Sequence, residues 1–394
     1  MLGQLPHFNP DPILFLIEQF KADQRTTKVD LGVGVYKTDA GLTPVMKCVK
    51  AAEKRLLETQ TTKTYLGATG NQDFSNAMSR MVLGEELFET ISRRLVPFQA
   101  VGGTGSLRLA ADLINKAAPG GRIWLGEPSW PNHPAIFLGA GLALERYVYA
   151  APMQTELNFQ NTLEAAHRAS RGDVFLIHAS CHNPTGIDFS PEQATALLDV
   201  LHERGVTPLV DCAYAGFAAG FEEDLHIVRA VMSRFEEAIV CFSCSKNFGI
   251  YRERVGLLMV KSENEEVAAR ARLGISSLAR QNYSMPPDHG AALVGEILAS
   301  PELTAQWRGE LEEIRLALHR KRQRLSARAN TAPVLAALEH QNGMFSLLPL
   351  DRQLVPRLRE EFGVYMTADA RINVLGVSDG MEDYLVDSLA RVAG

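Results

Sequence analysis

A lysine directly after a long apolar run is an unusual place for a charge. In EAIVCFSCSKNFG the run reads as a buried strand, and Lys246 follows it, next to Ser245. Burial disfavours an ammonium and lowers its pKa, which suits a nucleophile that forms a Schiff base with a carbonyl carbon. Read alone, such a lysine is more readily explained as one that has simply emerged into solvent. Asp211, in LVDCAYAGF, stands at the C-terminal end of another apolar run, three residues before Tyr214. A buried carboxylate there needs a cationic partner. In open parallel sheets the ligand crevice lies outside the carboxyl ends of the strands. A protonated pyridine nitrogen would serve as that partner, and its charge would make the ring a better electron sink. The plain alternative is an aspartate that caps the next helix.

Five further segments bear on the same chemistry. AVGGTGSLRLAA joins a strand to a helix through Gly102, Gly103, Thr104 and Gly105. Backbone N–H groups at such a helix start bind phosphate. The third glycine of a dinucleotide fingerprint is replaced by Arg108, so a monophosphate cup fits better. Trp130, in PSWPNHP, is a candidate stacking platform or a hydrophobic plug. Asn183, in CHNPTG, could donate to a phenolate oxygen, although Asn, Pro and Gly favour turns on their own account. Arg254, eight residues after Lys246, could fork onto a phosphate. Arg371, in ADARINVLG, sits in an apolar stretch and needs an anion, for which a substrate α-carboxylate is the natural candidate. Together these segments describe a site for pyridoxal phosphate.

Such a set must be held at strand ends, and the pattern supplies them. PFQAVGG, RIWLGE, DVFLIHAS, VTPLVDCA, AIVCFSCS and RVGLLMVK are short apolar runs separated by helical stretches such as Pro191–Arg204. The pattern predicts a mostly parallel sheet between helices. Beyond about Glu302 the rhythm changes. Trp307, Leu311, Ile314, Leu318 and Leu325 trace one face of a long helix, followed by FSLLPL, VYMTA, INVLGV and a last helix. The expectation is an α/β chain with a large cofactor-binding domain over 44–312. Residues 1–43 and 313–394 would form a smaller α+β domain.

The 394 residues are too many for one compact core. A net charge of −6 gives no support to nucleic-acid binding, and no run approaches the roughly 20 apolar residues of a membrane span. The N-terminal stretch MLGQLPHFNPDPILFLIEQF lacks the features of a secretory signal. Five cysteines form no disulfide framework. Cys241 and Cys244 are spaced as C-x-x-C, but an odd offset along a strand sends them to opposite faces, so no metal site is expected. The compartment is read as reducing and cytoplasmic. The basic run from His319 to Arg324 is expected to be the solvated face of the long helix.

The segments GVGVYK, TTKTYLG, GGTGSLR, SWPNH, CHNPTG, DCAYAGF, SKNFGIYRERVG, RQNYS, NGMFS and ARINVLG resemble those of class I aminotransferases of fold type I, in the subgroup acting on aspartate and aromatic amino acids. The resemblance implies that Lys246 binds the cofactor and moves the proton at Cα. It implies that Asp211 pairs with the ring nitrogen, that Asn183 and Tyr214 bond the 3-oxygen, and that Trp130 stacks on the ring. Gly103, Thr104, Ser245 and Arg254 would hold the phosphate, with Tyr65 reaching it from a second subunit of a homodimer. His133 would stand behind Asp211, with His178 nearby. Arg371 would bind the α-carboxylate, and Gly34 would line the substrate with Trp130 and Asn183. Arg280 would cross from the other subunit to a side-chain carboxylate. Met285 departs from the aspartate-selective pattern, which has Asn in that place, so dual specificity for aspartate and tyrosine or phenylalanine is expected, with 2-oxoglutarate as acceptor in a ping-pong cycle. A lyase or decarboxylase on the same fold is one alternative, and a non-catalytic regulatory module is another. The pair of arginines speaks against the first. No helix-turn-helix is read to support the second.

Overall fold

The structure is a computed structural model of the chain, and it describes all residues except 6, 8–10, 152, 154 and 394. Part of the N-terminal stretch weighed as a secretory signal therefore lies outside the described residues. The strands are β1 (Val29–Asp30), β2 (Leu95–Val101), β3 (Arg122–Glu127), β4 (Ala143–Val148), β5 (Val174–His178), β6 (Thr207–Cys212), β7 (Ala238–Ser243), β8 (Val255–Lys261), β9 (Phe345–Leu347), β10 (Val364–Tyr365) and β11 (Arg371–Asn373). Seven of them form one sheet in the order β2-β8-β7-β6-β5-β3-β4. Every neighbouring pair is parallel except those made by β8, which runs against both β2 and β7. All six apolar runs of the sequence became strands of this sheet. The seventh, β4, was not expected: ALERYV is an edge strand, half exposed, with Glu145 and Arg146 at its middle, and carries no continuous apolar signal.

Helices cover both faces, and alternation along the strands builds a core on each. Leu209, Ile239 and Cys241 belong to one packed cluster. Val210, Val240, Phe242 and Cys244 belong to the other. Cys241 and Cys244 thus do lie on opposite sides, as free buried thiols. The helix Pro191–Arg204 begins with a full capping box between Ser190 and Gln193 and ends at Gly205 in the left-handed conformation, so its bounds match the sequence signals.

The long helix is Pro301–Ser326, with Trp307, Leu311, Ile314, Leu318 and Leu325 all buried. Its basic run corrects the expectation of a solvated face: Lys321 and Arg322 are buried. Lys321 pairs with Asp39, Asp379 and Glu382. Beyond this helix, β9 pairs antiparallel with β11, and β1 pairs parallel with β10. The N-terminal segment is held there by further bonds. The Asn373 N–H donates to the Leu31 carbonyl, and its side-chain amide donates to the carbonyls of Val33 and Val35.

Candidate active site

The strand ends of the large sheet open into a cleft of about 500 Å³. Gly103, Thr104, Trp130, His178, Asn183, Asp211, Tyr214, Ser245, Lys246 and Arg254 all line it. Ten positions read from separate segments therefore meet in one place. Asp211 is the second-to-last residue of β6, Ser245 and Lys246 lie just past β7, Thr104 is in the first turn of the helix Gly102–Ala117 that follows β2, and Arg254 comes just before β8, which runs the opposite way.

One end of the cleft is built for an anion. Gly102 takes φ +68°, and a Cβ there would come within 2.3 Å of the Arg254 guanidinium. Only glycine permits both the turn and that approach. Arg254 itself holds φ +56°, a conformation uncommon for a side chain of its kind and found where geometry is over-determined. Its Nη1 donates to Ser245 Oγ at 3.3 Å and to the Tyr251 carbonyl at 3.1 Å. No carboxylate pairs with it among the described residues, so its charge remains free for a phosphate.

The floor is a carboxylate with a hydrogen-bonded backing. Asp211 Oδ2 lies 3.0 Å from His133 Nε2. An ionised carboxylate only accepts, so Nε2–H donates, and the ring's other nitrogen, Nδ1, lies 2.8 Å from Ser129 Oγ. Ser129 Oγ is in turn 3.3 Å from His178 Nε2. Burial raises the Asp211 carboxyl, but the hydrogen bond from His133 and the nearby positive charge of Lys246 outweigh it and hold it below the ordinary carboxylate range. Burial pushes His178 down to about 3, and His182 well below its ordinary value, so both are neutral near pH 7. His182 stacks on Tyr149 at 4.0 Å between ring centroids, which closes the back of the network.

Lys246 faces the cleft with its Nζ 4.9 Å from the centre of the Tyr214 ring. It keeps some exposure to the cleft but is dehydrated on its other sides. That dehydration pushes it down to about 8, against the attraction of Asp211 and with the repulsion of Arg254. The group is therefore still mostly ammonium at pH 7, but gives up its proton far more readily than an ordinary lysine. Asn183 Nδ2 lies 3.5 Å from the Tyr214 hydroxyl. Trp130 crosses the edge of His133 at 5.2 Å.

Arg371 is buried at the start of β11 without a carboxylate partner among the described residues. Nη2 donates to the Gly32 carbonyl at 3.1 Å and Nη1 to Asn183 Oδ1 at 3.4 Å, while Nε has no partner. The guanidinium rests 4.4 Å above the centre of the Phe345 ring. The same ring meets Tyr214 edge-on at 6.0 Å, and a Cβ on Gly34 would come within 2.9 Å of it. An arginine held on one face by a ring and two neutral acceptors, with a donor left over, is ready for a carboxylate.

Tyr65 and Arg280 are not brought to the cleft within this chain. Tyr65 is 92% exposed, and Arg280 is an exposed residue in the last turn of the helix Glu265–Asn282, with Nη1 on Ser284 Oγ at 2.5 Å. Met285 is half-buried just beyond that turn. Sequence reasoning missed Phe345, Ser129 and His182 as members of the site. Nothing local distinguishes Phe345 in its apolar run, because its importance comes from Arg371, 26 residues away. Ser129 precedes Trp130 in a loop whose aromatic residue drew the attention.

Comparison with known proteins bears on the whole chain. Residues 26–389 match the family model for aminotransferase class I and II. A tyrosine aminotransferase of Rhizobium meliloti is 47% identical over 380 residues, covering 96% of each chain. An aspartate aminotransferase of Salmonella typhi is 43% identical, covering 93% of this chain and 94% of that one. The crystal structure of an aromatic-amino-acid aminotransferase from Burkholderia pseudomallei, covalently bound to pyridoxal phosphate, superposes with a TM-score of 0.96 over the full length of both chains at 36% identity. With family, fold and strand-end cleft in agreement along nearly its whole length, the chain belongs to the class I and II aminotransferases.

Proposed function

We propose that this aminotransferase uses pyridoxal phosphate to move an amino group between an L-amino acid, aspartate or an aromatic one, and 2-oxoglutarate in a ping-pong cycle. The observation that carries the reading is Lys246, a dehydrated lysine in the same cleft as the Asp211 carboxylate and a phosphate-ready helix start. The cleft fits the cofactor group by group. Asp211 answers a protonated ring nitrogen, Gly103, Thr104, Ser245 and Arg254 answer a phosphate, and Asn183 and Tyr214 answer a phenolic oxygen. Trp130 offers a ring face, and Lys246 offers an amine for the carbonyl carbon. Bound here, pyridoxal phosphate would supply the electron-accepting ring that lets the amino acid give up its Cα proton.

The chain's own residues do the rest. Arg371 takes the substrate α-carboxylate on its free donor side, and Gly34 leaves room beside Phe345. This fixes which bond at Cα faces Lys246. Lys246 Nζ, with a pKa near neutrality, takes the Cα proton as a general base and can return it as a general acid. Asp211, kept ionised by His133, holds positive charge at the ring nitrogen. Tyr214 and Asn183 would hold the phenolic oxygen.

We read residues 44–312 as the large cofactor-binding domain and 1–43 with 313–394 as the small one, with the boundary inside the continuous helix Pro301–Ser326. Two exposed residues, Tyr65 and Arg280, act in this reading on the neighbouring site of a homodimer, Tyr65 on the phosphate and Arg280 on a side-chain carboxylate. Relatives named for tyrosine, aromatic amino acids and aspartate at similar identity support a dual substrate range. Five buried free thiols support a reducing, cytoplasmic setting. The test is a half-reaction panel. Purified enzyme loaded with pyridoxal phosphate is mixed with single amino acids, and the visible absorbance of the lysine-bound cofactor is followed. Aspartate, tyrosine and phenylalanine should bleach it. Bleaching by none of them would defeat the reading.

A further inference from the structure

The second inward residue of the basic run, Arg322, is a buried cation with no carboxylate in direct contact among the described residues, Asp188 acting on it only from a distance. It is 4% exposed and makes no ion pair among the described residues. Its whole fork is spent on neutral oxygens of one short segment and the turn before it. Nε donates to the Gly343 carbonyl at 2.9 Å, and Nη1 to Ser346 Oγ at 2.8 Å and the Leu338 carbonyl at 3.5 Å. Nη2 donates to the carbonyls of Gly343 and Phe345, both at 2.6 Å, and to that of Asn342 at 3.1 Å. A guanidinium without an anion is costly to bury. Burial accordingly pushes it down to about 10, which still leaves it charged at neutral pH.

What the segment 342–346 carries gives that arrangement a purpose. Phe345 is the ring beneath Arg371, and its edge meets Tyr214. The Asn342 N–H donates to the Gly186 carbonyl at 2.7 Å, and Asn342 Nδ2 donates to Asp188 Oδ2 at 3.1 Å. Gly186, with φ +71°, would press a Cβ to 2.7 Å from the Phe345 carbonyl. The segment is thus wedged against the turn that carries Asn183, whose Oδ1 accepts from Arg371. Two of the three supports of Arg371, the ring below and the Asn183 amide beside it, are held by the backbone that Arg322 grips, and the third is the Gly32 carbonyl.

We propose that Arg322 is a positioning residue for carboxylate binding: it locks residues 342–346 so that Phe345 and Asn183 present Arg371 to the acid group of the substrate. This rests on the reading of Arg371 as the α-carboxylate residue. Lysine at position 322 would keep the charge but lose the planar fork, with three donors on a point charge in place of five in a plane. The segment would loosen, and Arg371 with it.

The experiment uses enzyme loaded with pyridoxal phosphate and 3-phenylpropionate as a carboxylate probe that cannot react. Arg322→Lys should raise the probe's Kd and the KM of the amino donor about tenfold while kcat stays within about threefold, the pattern of lost binding that ground and transition states share. Ser346→Ala removes one acceptor without touching the cation. It should shift Kd the same way by about threefold, and it decides the matter if Arg322→Lys does not fold. Adding Phe345→Leu to Arg322→Lys should weaken binding no more than about twofold beyond the weaker single variant, since both act by one route. A lowered Tm with Kd unchanged, or fully additive losses in the double variant, would overturn the proposal. Arg371→Ala separates the two layers. If that variant binds the probe like the wild type, the reading of Arg371 has failed and this inference falls with it.

Discussion

Asp211 Oδ2 lies 3.0 Å from His133 Nε2, and the histidine's other nitrogen is 2.8 Å from Ser129 Oγ. The carboxylate therefore meets the cleft already ionised and oriented, without having to reorganise when positive charge is placed against it. Removing a preorganised electrostatic partner of this kind costs roughly 10²–10³ in rate. Asp211→Asn should slow Cα proton loss by that order in single turnover while weakening cofactor retention far less. Stopped-flow rates and cofactor content on the same preparations check this. Equal losses in both would make Asp211 merely structural.

A second prediction concerns stability and pH. Lys246 is held at about 8 in the folded chain, against about 10.4 for an unfolded lysine. Between those values the unfolded chain binds the extra proton, so its contribution to unfolding free energy rises with pH across that window. Below pH 8 both states are protonated, and the dehydrated ammonium weighs fully on the fold. Apo Lys246→Met should therefore be more stable than apo wild type at pH 7, by on the order of 1–3 kcal/mol after allowance for partial exposure. Its advantage should shrink toward pH 10.5. Thermal unfolding at several pH values measures it, and a constant difference would refute the assignment.

Substrate choice turns on Arg280. Truncating one partner of a buried, hydrogen-bonded charge pair costs roughly 2–5 kcal/mol. Arg280→Ala should lose about two to three orders of magnitude in kcat/KM for aspartate, at about 1.4 kcal/mol per decade. Phenylalanine has no second carboxylate and should change less than about tenfold on the same scale. Single-turnover half-reactions with both donors decide it. A parallel fall would make Arg280 structural and remove the basis for dual specificity.

The shared site makes its own prediction. Mixing inactive Lys246→Ala chains with inactive Arg280→Asp chains should restore part of the aspartate activity. A hybrid dimer holds one site with both wild-type residues. Subunit exchange is verified by mass labelling, and no recovery after exchange would count against residues acting across an interface.

The site was legible where chemistry coincides with the end of an apolar strand. Lys246 and Asp211 stand out because a charge interrupts a run that must be buried. The glycines before Thr104 stand out because a strand passes directly into a helix. The positioning of Arg371 was hidden, because Phe345 and Asn183 reach it only through tertiary contact. Edge strand β4 was hidden because an exposed strand needs no apolar alternation. The basic run misled for a geometric reason. Successive residues on a helix point 100° apart, so six in a row cover the whole circumference and some must face inward. Lys321 and Arg322 are those residues, and each found oxygen acceptors there.

The most direct test of the account is single-turnover reaction of Lys246→Ala, loaded with pyridoxal phosphate, with aspartate. Loss of a positioned general base costs roughly 10²–10⁴-fold, and the nucleophile that holds the cofactor is lost with it. The account predicts a variant that retains bound cofactor, lacks the absorbance of a lysine-bound one, and transfers the amino group at least about a hundredfold more slowly than wild type. Transfer within about tenfold of wild type would contradict it, because no other residue lining the cleft offers an amine to carry the Cα proton.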